Sequence, residues 1–439
     1  MRLLIWGFGA WSCLLAGAAP IEVTYHKTIA PVLQARCQGC HRPGEAVPMS
    51  LLTYKDARVW AKAIKEAVLL RKMPPWFADP AHGDFVNDRR LSKEEIDAIT
   101  AWVDGGAKEG SPADAPPPRT FTEGWSIGKP DLTVQMPQPF DVPASGSVEY
   151  TYFVVPTGFT EDQWVQATEA RPTNRAVVHH IVVFVRPPGS KFLADAPTGV
   201  AYVPARREPR RQPDTGEGSL QYLNGVAELI GGYAPGSLPY QLKPGQARLV
   251  PKGSDLIFQM HYTPNGKPAT DQSRIGFILA KEPPKERVIN TFISDTNLHI
   301  PPESADFIAK ARVTFYEQAT LLSLAPHMHL RGKSFEYRAT YPTGETETLL
   351  TVPRYDFNWQ LSYNLKQPKV LPKGTVIECI AHYDNSANNP VNPNPKTEVF
   401  WGDQTWDEML AGFLDLAVPV NMNTRDIAVP RKTAPPAAN

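Results

Sequence analysis

A run of prolines, Ser111-Pro112-Ala113-Asp114-Ala115-Pro116-Pro117-Pro118, divides this chain into two stretches with different hydrophobic periods. Proline fixes φ and removes a backbone donor, so the run reads as a semi-rigid spacer, residues 111–120, with a domain boundary near 119. Before it, apolar residues recur at helical spacing. Residues 54–71 place Val59, Trp60, Ala63, Ile64, Ala67 and Val68 on one helical face, and Pro74-Pro75 stops the pattern. Ser92 with Glu95 forms a capping box for a second helix whose Ile96, Ile99, Trp102 and Val103 face inward, with Gly105 as its terminator. After the spacer, short β-branched runs alternate with turns, and the 45 prolines and 30 glycines suit β-sheet with many loops. At 439 residues the chain exceeds what one core supports, so about three domains are expected.

Residues 1–19 read as an export signal: Arg2, an apolar run from Leu3 to Leu15, then Ala16-Gly17-Ala18. The expected location is periplasmic or secreted, with no clear membrane span beyond the signal. Cys13 lies in that signal, which leaves three of the four cysteines to the exported chain and no disulfide framework. Lys plus Arg equals Asp plus Glu at 45 each, so the basic excess of a nucleic-acid binder is lacking. A disordered tail is expected over 426–439.

Cys37-Gln38-Gly39-Cys40-His41 is C-x-x-C-H, in which two thiols form thioethers with haem vinyl groups and the histidine supplies an axial ligand. No second Cys or His pair stands at zinc-site spacing, so one covalently bound haem c is the expected cofactor. With its flanking helices, this region (20–110) resembles a small class I cytochrome c. That resemblance implies a methionine as the sixth haem ligand. Met73, before Pro74-Pro75-Trp76, is the candidate; Met49 and His82 are its rivals.

Histidines mark the β-rich part. Ala176-Val177-Val178-His179-His180-Ile181-Val182-Val183-Phe184 is an apolar strand interrupted by two imidazoles, which cost stability when buried without partners. Strand neighbours face opposite ways, so both reach one ion only if the backbone adapts. His261, on Phe258-Gln259-Met260-His261-Tyr262, completes a three-nitrogen set. In Pro326-His327-Met328-His329 the two histidines leave the same face of an extended chain, and Met409 offers a thioether to join them. A lone H-x-H is equally at home as two hydrogen-bonded interior histidines. Three nitrogens at one site and two plus sulfur at the other suit copper better than zinc or magnesium. Pro251-Lys252-Gly253 and Pro372-Lys373-Gly374 each precede a His-Tyr pair, His261-Tyr262 and His382-Tyr383, by the same interval, which suggests two related β domains, 121–285 and 286–425. His382 is assigned a structural role.

His179-His180, His261, His327-x-His329 and Asp407-Glu408-Met409, in this order, resemble the copper type II, ascorbate-dependent monooxygenases, the group of peptidylglycine hydroxylating monooxygenase and dopamine β-hydroxylase. The likeness covers roughly residues 121–420. It implies a pair of jelly-roll sandwiches holding two copper ions. His179, His180 and His261 would hold the electron-transferring copper; His327, His329 and Met409 would hold the catalytic, oxygen-binding one. The full expected fold is thus a small all-α cytochrome c domain followed by two all-β antiparallel jelly-roll sandwich domains. The implied reaction hydroxylates a C–H bond of a small organic substrate with O2. Electrons would come from ascorbate or a periplasmic redox protein by way of the fused haem. Ala325 and Phe413 replace an arginine and a tyrosine of the peptide-hydroxylating members, so a peptidylglycine substrate does not fit. Two other expectations stand beside this one: an electron-transfer or copper-binding protein on the same scaffold without hydroxylase activity, and a haem-copper reductase acting on a small inorganic acceptor.

Overall fold

The computed structural model describes residues 22–429 except 46, 48, 122–123, 206–217, 222–226, 236–238 and 240. The export signal expected at 1–19 lies outside the described residues, as does the tail from 430. Ahead of that tail, Thr424–Ile427 form a 3-10 turn with Ile427 buried, so ordered chain extends into the stretch expected to be disordered.

One nine-stranded sheet is the spine. Its strands run in the order Leu132–Gln135, Arg274–Leu279, Gln163–Arg171, Gln246–Val250, Glu286–Ser294, Ala411–Pro419, Ala319–His327 and Tyr363–Leu371, with the short Ser219–Leu220 beside Glu286–Ser294. A four-stranded sheet, Thr151–Pro156, Asp255–Tyr262, Val178–Arg186 and Glu228–Tyr233, packs over its first half. Another, Phe307–Thr314, Val376–Tyr383, Gly332–Thr340 and Thr346–Val352, packs over its second half. Inward residues at a period of two fill each sandwich: Phe258, Met260 and Tyr262 on one strand, Ile377, Cys379, Ala381 and Tyr383 on another. Both Pro-Lys-Gly segments are tight turns, closed by Ser254 N–H to Pro251 O and Thr375 N–H to Pro372 O. Their glycines sit at φ 69° and 89°, where an L side chain is strained.

The expectation of a small all-α cytochrome c domain is overturned, while the two β sandwiches expected after it are compatible with the fold. Among the described residues only four α-helices occur, Ala30–Arg36, Tyr54–Val59, Ala61–Leu69 and Lys93–Asp104, and none exceeds 12 residues. The segment just past Pro74-Pro75, residues 76–85, leaves the helical cluster before the chain returns to it at Lys93–Asp104. Its Trp76, Phe77 and Phe85 lie in the core of the second sandwich, where Trp76 stands 4.8 Å from the Tyr363 ring. Apolar side chains that four short helices cannot cover are buried in the neighbouring β core instead. The two sandwiches share one sheet: Glu286–Ser294 pairs in parallel with Gln246–Val250, Glu286 opposite Gln246 and Arg287 opposite Ala247.

The expected helix over 54–71 is also broken, at Trp60 (φ −95°, ψ 4°), and its inward face is Ala57, Ala61, Ile64 and Val68. Val59 is 75% exposed. The capping box of Ser92 with Glu95 forms, and Ile99 and Trp102 are fully buried, with Ile96 and Val103 packed beside them.

Candidate metal centre

The first histidine set depends on an irregularity in a strand. Val178–Arg186 pairs with Asp255–Tyr262, and its register shifts between Val178 and His180, so that Val178 faces Tyr262 while the next pair is His180 with His261. The extra residue is His179. A bulge turns one side chain across the strand, and here it overcomes the opposed facing expected of adjacent residues. The ring centroids of His179, His180 and His261 lie 4.8–5.4 Å apart pairwise.

Their nitrogens converge. One ligand atom from each lies within 4.8 Å of the others. His179 Nδ1 and His180 Nδ1 are 3.2 Å apart, the separation of two nitrogens on one ion, since metal–N bonds of about 2.0–2.1 Å at a near-tetrahedral angle place them about 3.3 Å apart. His261 Nδ1 is buried and has no hydrogen-bond partner, as a ligand nitrogen awaiting a cation would be. Burial holds all three below the usual imidazole range, with neighbouring histidines adding to the effect on His180 and His261; His261 is pushed down to about 3. Neutral rings with free lone pairs are what a metal requires.

The second pair stands where its strand ends. Ala319–His327 stops at His327, and Met328 turns into the core, 0% exposed, while His327 and His329 turn the other way with centroids 5.2 Å apart. Gly332 closes the turn behind them; a Cβ there would meet Met328 Cβ at 2.7 Å. His327 Nδ1 faces Gln360 Oε1 at 2.6 Å, and Gln360 Nε2 donates to Phe357 O, which fixes the amide so that its oxygen meets the histidine. His329 Nδ1 faces the carbonyl of Asp407 at 3.1 Å. Both oxygens only accept, so each Nδ1 carries its proton and each Nε2 keeps a lone pair. His329 Nε2 is buried with no hydrogen-bond partner. A ligating histidine usually has its other nitrogen oriented in this way.

The backbone at Met409 comes near this pair through the sheet. His327 is opposite Ala411 in the register, which brings the 407–409 segment beside His329. Glu408, 0% exposed, ties the two together by accepting the N–H groups of His329 (2.8 Å), Arg331 (2.7 Å) and Met409 (3.2 Å). Burial pushes its carboxyl up to about 7 despite those donors. Asp407 also lines a cavity of about 800 Å³, with Tyr152, Trp401 and Trp406 among its other walls.

The structure brings the two sets together. The Phe357 ring lies 5.7 Å from His179, 6.2 Å from His261 and 6.1 Å from His329, so the sets lie no farther apart than two such steps. Sequence reasoning missed Phe357, Gln360, Tyr150 and the role of Glu408. Only Glu408, inside the Asp407-Glu408-Met409 motif, carried a signal.

The C-x-x-C-H residues stand apart from both sets. Cys37 and Cys40 are unpaired and half-buried, and the N–H groups of Cys40 and His41 donate to Cys37 O. Burial pushes the Cys37 thiol up to about 12 and raises Cys40 against four arginines, Arg89, Arg42, Arg175 and Arg119. His41 Nδ1 is buried with no hydrogen-bond partner. Two free thiols and an imidazole whose Nδ1 has no partner, its ring otherwise meeting the Met49 backbone, fit covalent haem. Met49 packs on the same helical core as Cys37; Met73, half-buried, is followed by the loop that leaves for the second sandwich, and His82 sits on that loop. His382 meets Asp306 at 3.1 Å on the surface. Glu45, four residues past His41, pairs with Arg42 and also with Arg175, which stands four residues before His179.

No helix among the described residues is long and apolar enough to cross a membrane. No protein-family model matches the sequence, and no curated protein matches it. Among solved structures, the T13 particle of infectious bursal disease virus aligns at 9% identity over 68% of this chain and 73% of that one, with a TM-score of 0.18. The VP2 subviral particle of the same virus aligns at 10% identity over 69% and 75%, also with a TM-score of 0.18.

Proposed function

We propose that this chain is an exported copper-dependent monooxygenase that hydroxylates a C–H bond of a small organic substrate, with electrons entering through a haem c bound at Cys37, Cys40 and His41. The observation that carries the copper reading is the state of the ligand atoms. Five imidazoles, His180 and His329 buried and the other three half-buried, converge in two sets; two Nδ1 atoms stand 3.2 Å apart, and the second pair has its outer nitrogens held by oxygens. Buried His180 and His329, with His261 Nδ1 and His329 Nε2 buried and unpartnered, would be a cost for a structural role alone.

His179, His180 and His261 would hold one copper, and His327, His329 and Met409 the other. Bound copper supplies one-electron redox chemistry and activates dioxygen, and a thioether ligand favours the reduced ion. The protein's part is to keep the imidazoles neutral, orient His327 through Gln360 and His329 through Asp407, and exclude water. The cavity beside Asp407 is large enough for a small organic molecule. The Glu45–Arg175 ion pair links the C-x-x-C-H turn to the loop leading into the His179-His180 strand, which supports haem as the local electron source.

The test is product analysis under isotopically labelled dioxygen with the copper-loaded, haem-bearing protein, beside Met409→Leu. One labelled oxygen in the product, lost in Met409→Leu with the haem spectrum intact, is the expected result. Two bound coppers with no label incorporated under any donor would leave a copper-binding electron carrier; hydroxylation surviving in Met409→Leu would overturn the site assignment.

A further inference from the structure

We propose that Phe357 is the positioning residue that holds the two histidine sets in register, making them one coupled pair instead of two sites acting independently. This rests on the copper reading above. The ring lies nearly parallel to His179, at 15° and 5.7 Å, tilts over His261 at 6.2 Å, and meets His329 edge-on at 87° and 6.1 Å. A phenyl ring neither donates nor accepts a conventional hydrogen bond, so its contribution here is separation, orientation and exclusion of water.

Its mounting is tied to one site while its face lies on the other. Phe357 belongs to the second sandwich, in the turn between the strands Thr346–Val352 and Tyr363–Leu371. On one side of it, the Tyr355 hydroxyl accepts from Met328 N and donates to Met328 O, at 3.1 and 2.8 Å, anchoring the turn to the backbone between His327 and His329. On the other, Gln360 accepts from His327 and donates to the carbonyl of Phe357 itself. The turn that fixes the His327 ring therefore also fixes where Phe357 meets His179 and His261.

Tyr150 ties the first set to the second sandwich by its backbone. It comes from the first sandwich, with its ring 5.4 Å from His180 and 4.7 Å from His261, and its backbone N–H donates to Gln404, three residues before the carbonyl that holds His329. Tyr150 thus packs on its own sandwich's set and is tied by its backbone to the segment that leads to Asp407.

The test uses full-length protein loaded with copper(II), comparing wild type with Phe357→Ala and Phe357→Leu. Metal analysis gives the copper count, and pulsed electron paramagnetic resonance gives the magnetic dipolar coupling between coppers, which falls as the inverse cube of their separation. The expected result is two coppers per chain in every variant, with single-site hyperfine values unchanged. A well-defined coupling in wild type should be broadened or weakened several-fold in Phe357→Ala, and shifted the same way in Phe357→Leu. Wild-type coupling retained in Phe357→Ala overturns the proposal, as does a wild type with two coppers and no coupling. Fewer than two coppers in wild type overturns the copper reading and this proposal with it. Should Phe357→Ala not fold, Phe357→Leu, which keeps apolar bulk without a flat face for His179, decides the matter by the same readout.

Discussion

Replacing Glu408 by glutamine separates the architecture of the second histidine pair from its packing. The carboxylate accepts three backbone N–H groups, with Oε2 facing His329 and Met409 and Oε1 facing Arg331, and it is 0% exposed. An amide has one accepting oxygen. Whichever way it is turned, its NH2 group faces at least one of those donors, leaving a buried N–H unsatisfied at a cost of about 1–3 kcal/mol. The remaining bonds lose their charge assistance, and Arg331 loses a nearby counter-charge, adding on the order of 1 kcal/mol. A total of about 2–4 kcal/mol is expected at pH 8, where Glu408, titrating at about 7, is ionised. The penalty should grow toward pH 6 by about 1 kcal/mol, because a carboxyl that titrates higher folded than unfolded stabilises the wild type as pH falls, and the amide has no such titration. Urea unfolding of metal-free protein at both pH values measures it. Copper affinity at His327 and His329 should fall about 10- to 100-fold while the three-histidine set is unaffected. A loss below about 0.5 kcal/mol at pH 8, with both copper affinities unchanged, would show that Glu408 only fills space.

Two further outcomes follow from the same geometry. Burial depresses all five histidines of the two sets, so the unfolded chain takes up protons that the folded chain refuses. Stability of the metal-free protein is therefore full above about pH 6.5 and should fall by up to about 1.4 kcal/mol per pH unit per histidine below it; a thermal unfolding midpoint that stays flat from pH 7 to 5 would contradict this. Cys40→Ser should leave haem held through Cys37 alone, shifting the pyridine haemochrome band, and wild-type protein made alongside a haem-attachment system with no covalent haem would exclude haem at this motif.

Much of the candidate site was legible because its chemistry needs rare residue types in fixed local patterns. His327 and His329 share a face by the period of a strand, and that survives in the fold. His179 and His180 were harder: strand periodicity opposes them, and a bulge has no signature in an apolar run flanked by valines. Gln360 and Phe357 left no trace because their roles arise from which turn the sheet brings near, a long-range property. The helical region misled for a related reason. The 3.6-residue period over 54–71 was real, but Trp60 interrupts it and shifts the buried face to Ala57, Ala61, Ile64 and Val68. The apolar residues after Pro74-Pro75 were open to any core, and the second sandwich took them.

The shared sheet bears on how the two sets can work. Gln246–Val250 and Glu286–Ser294 pair over only two register positions, too few to fix two sandwiches by hydrogen bonds alone. A polar network secures the joint: Asp415 accepts from Arg248, Asn290 and Ser323 at 2.8–3.0 Å, and Arg287 meets Glu228 at 2.6 Å. Breaking one partner of a buried ion pair costs about 3–5 kcal/mol, because the other charge stays behind. Ser323 lies on the strand that ends at His327, and Asp415 on the strand entered from Met409. The strands that present the second set therefore also carry the joint to the first. A hinge opening between the sandwiches would have to break Arg248–Asp415 and shift the second set's own strands, whereas transfer across a fixed Phe357 contact requires neither. Under the copper reading, this favours electron passage at a set distance over domain closure in each turnover.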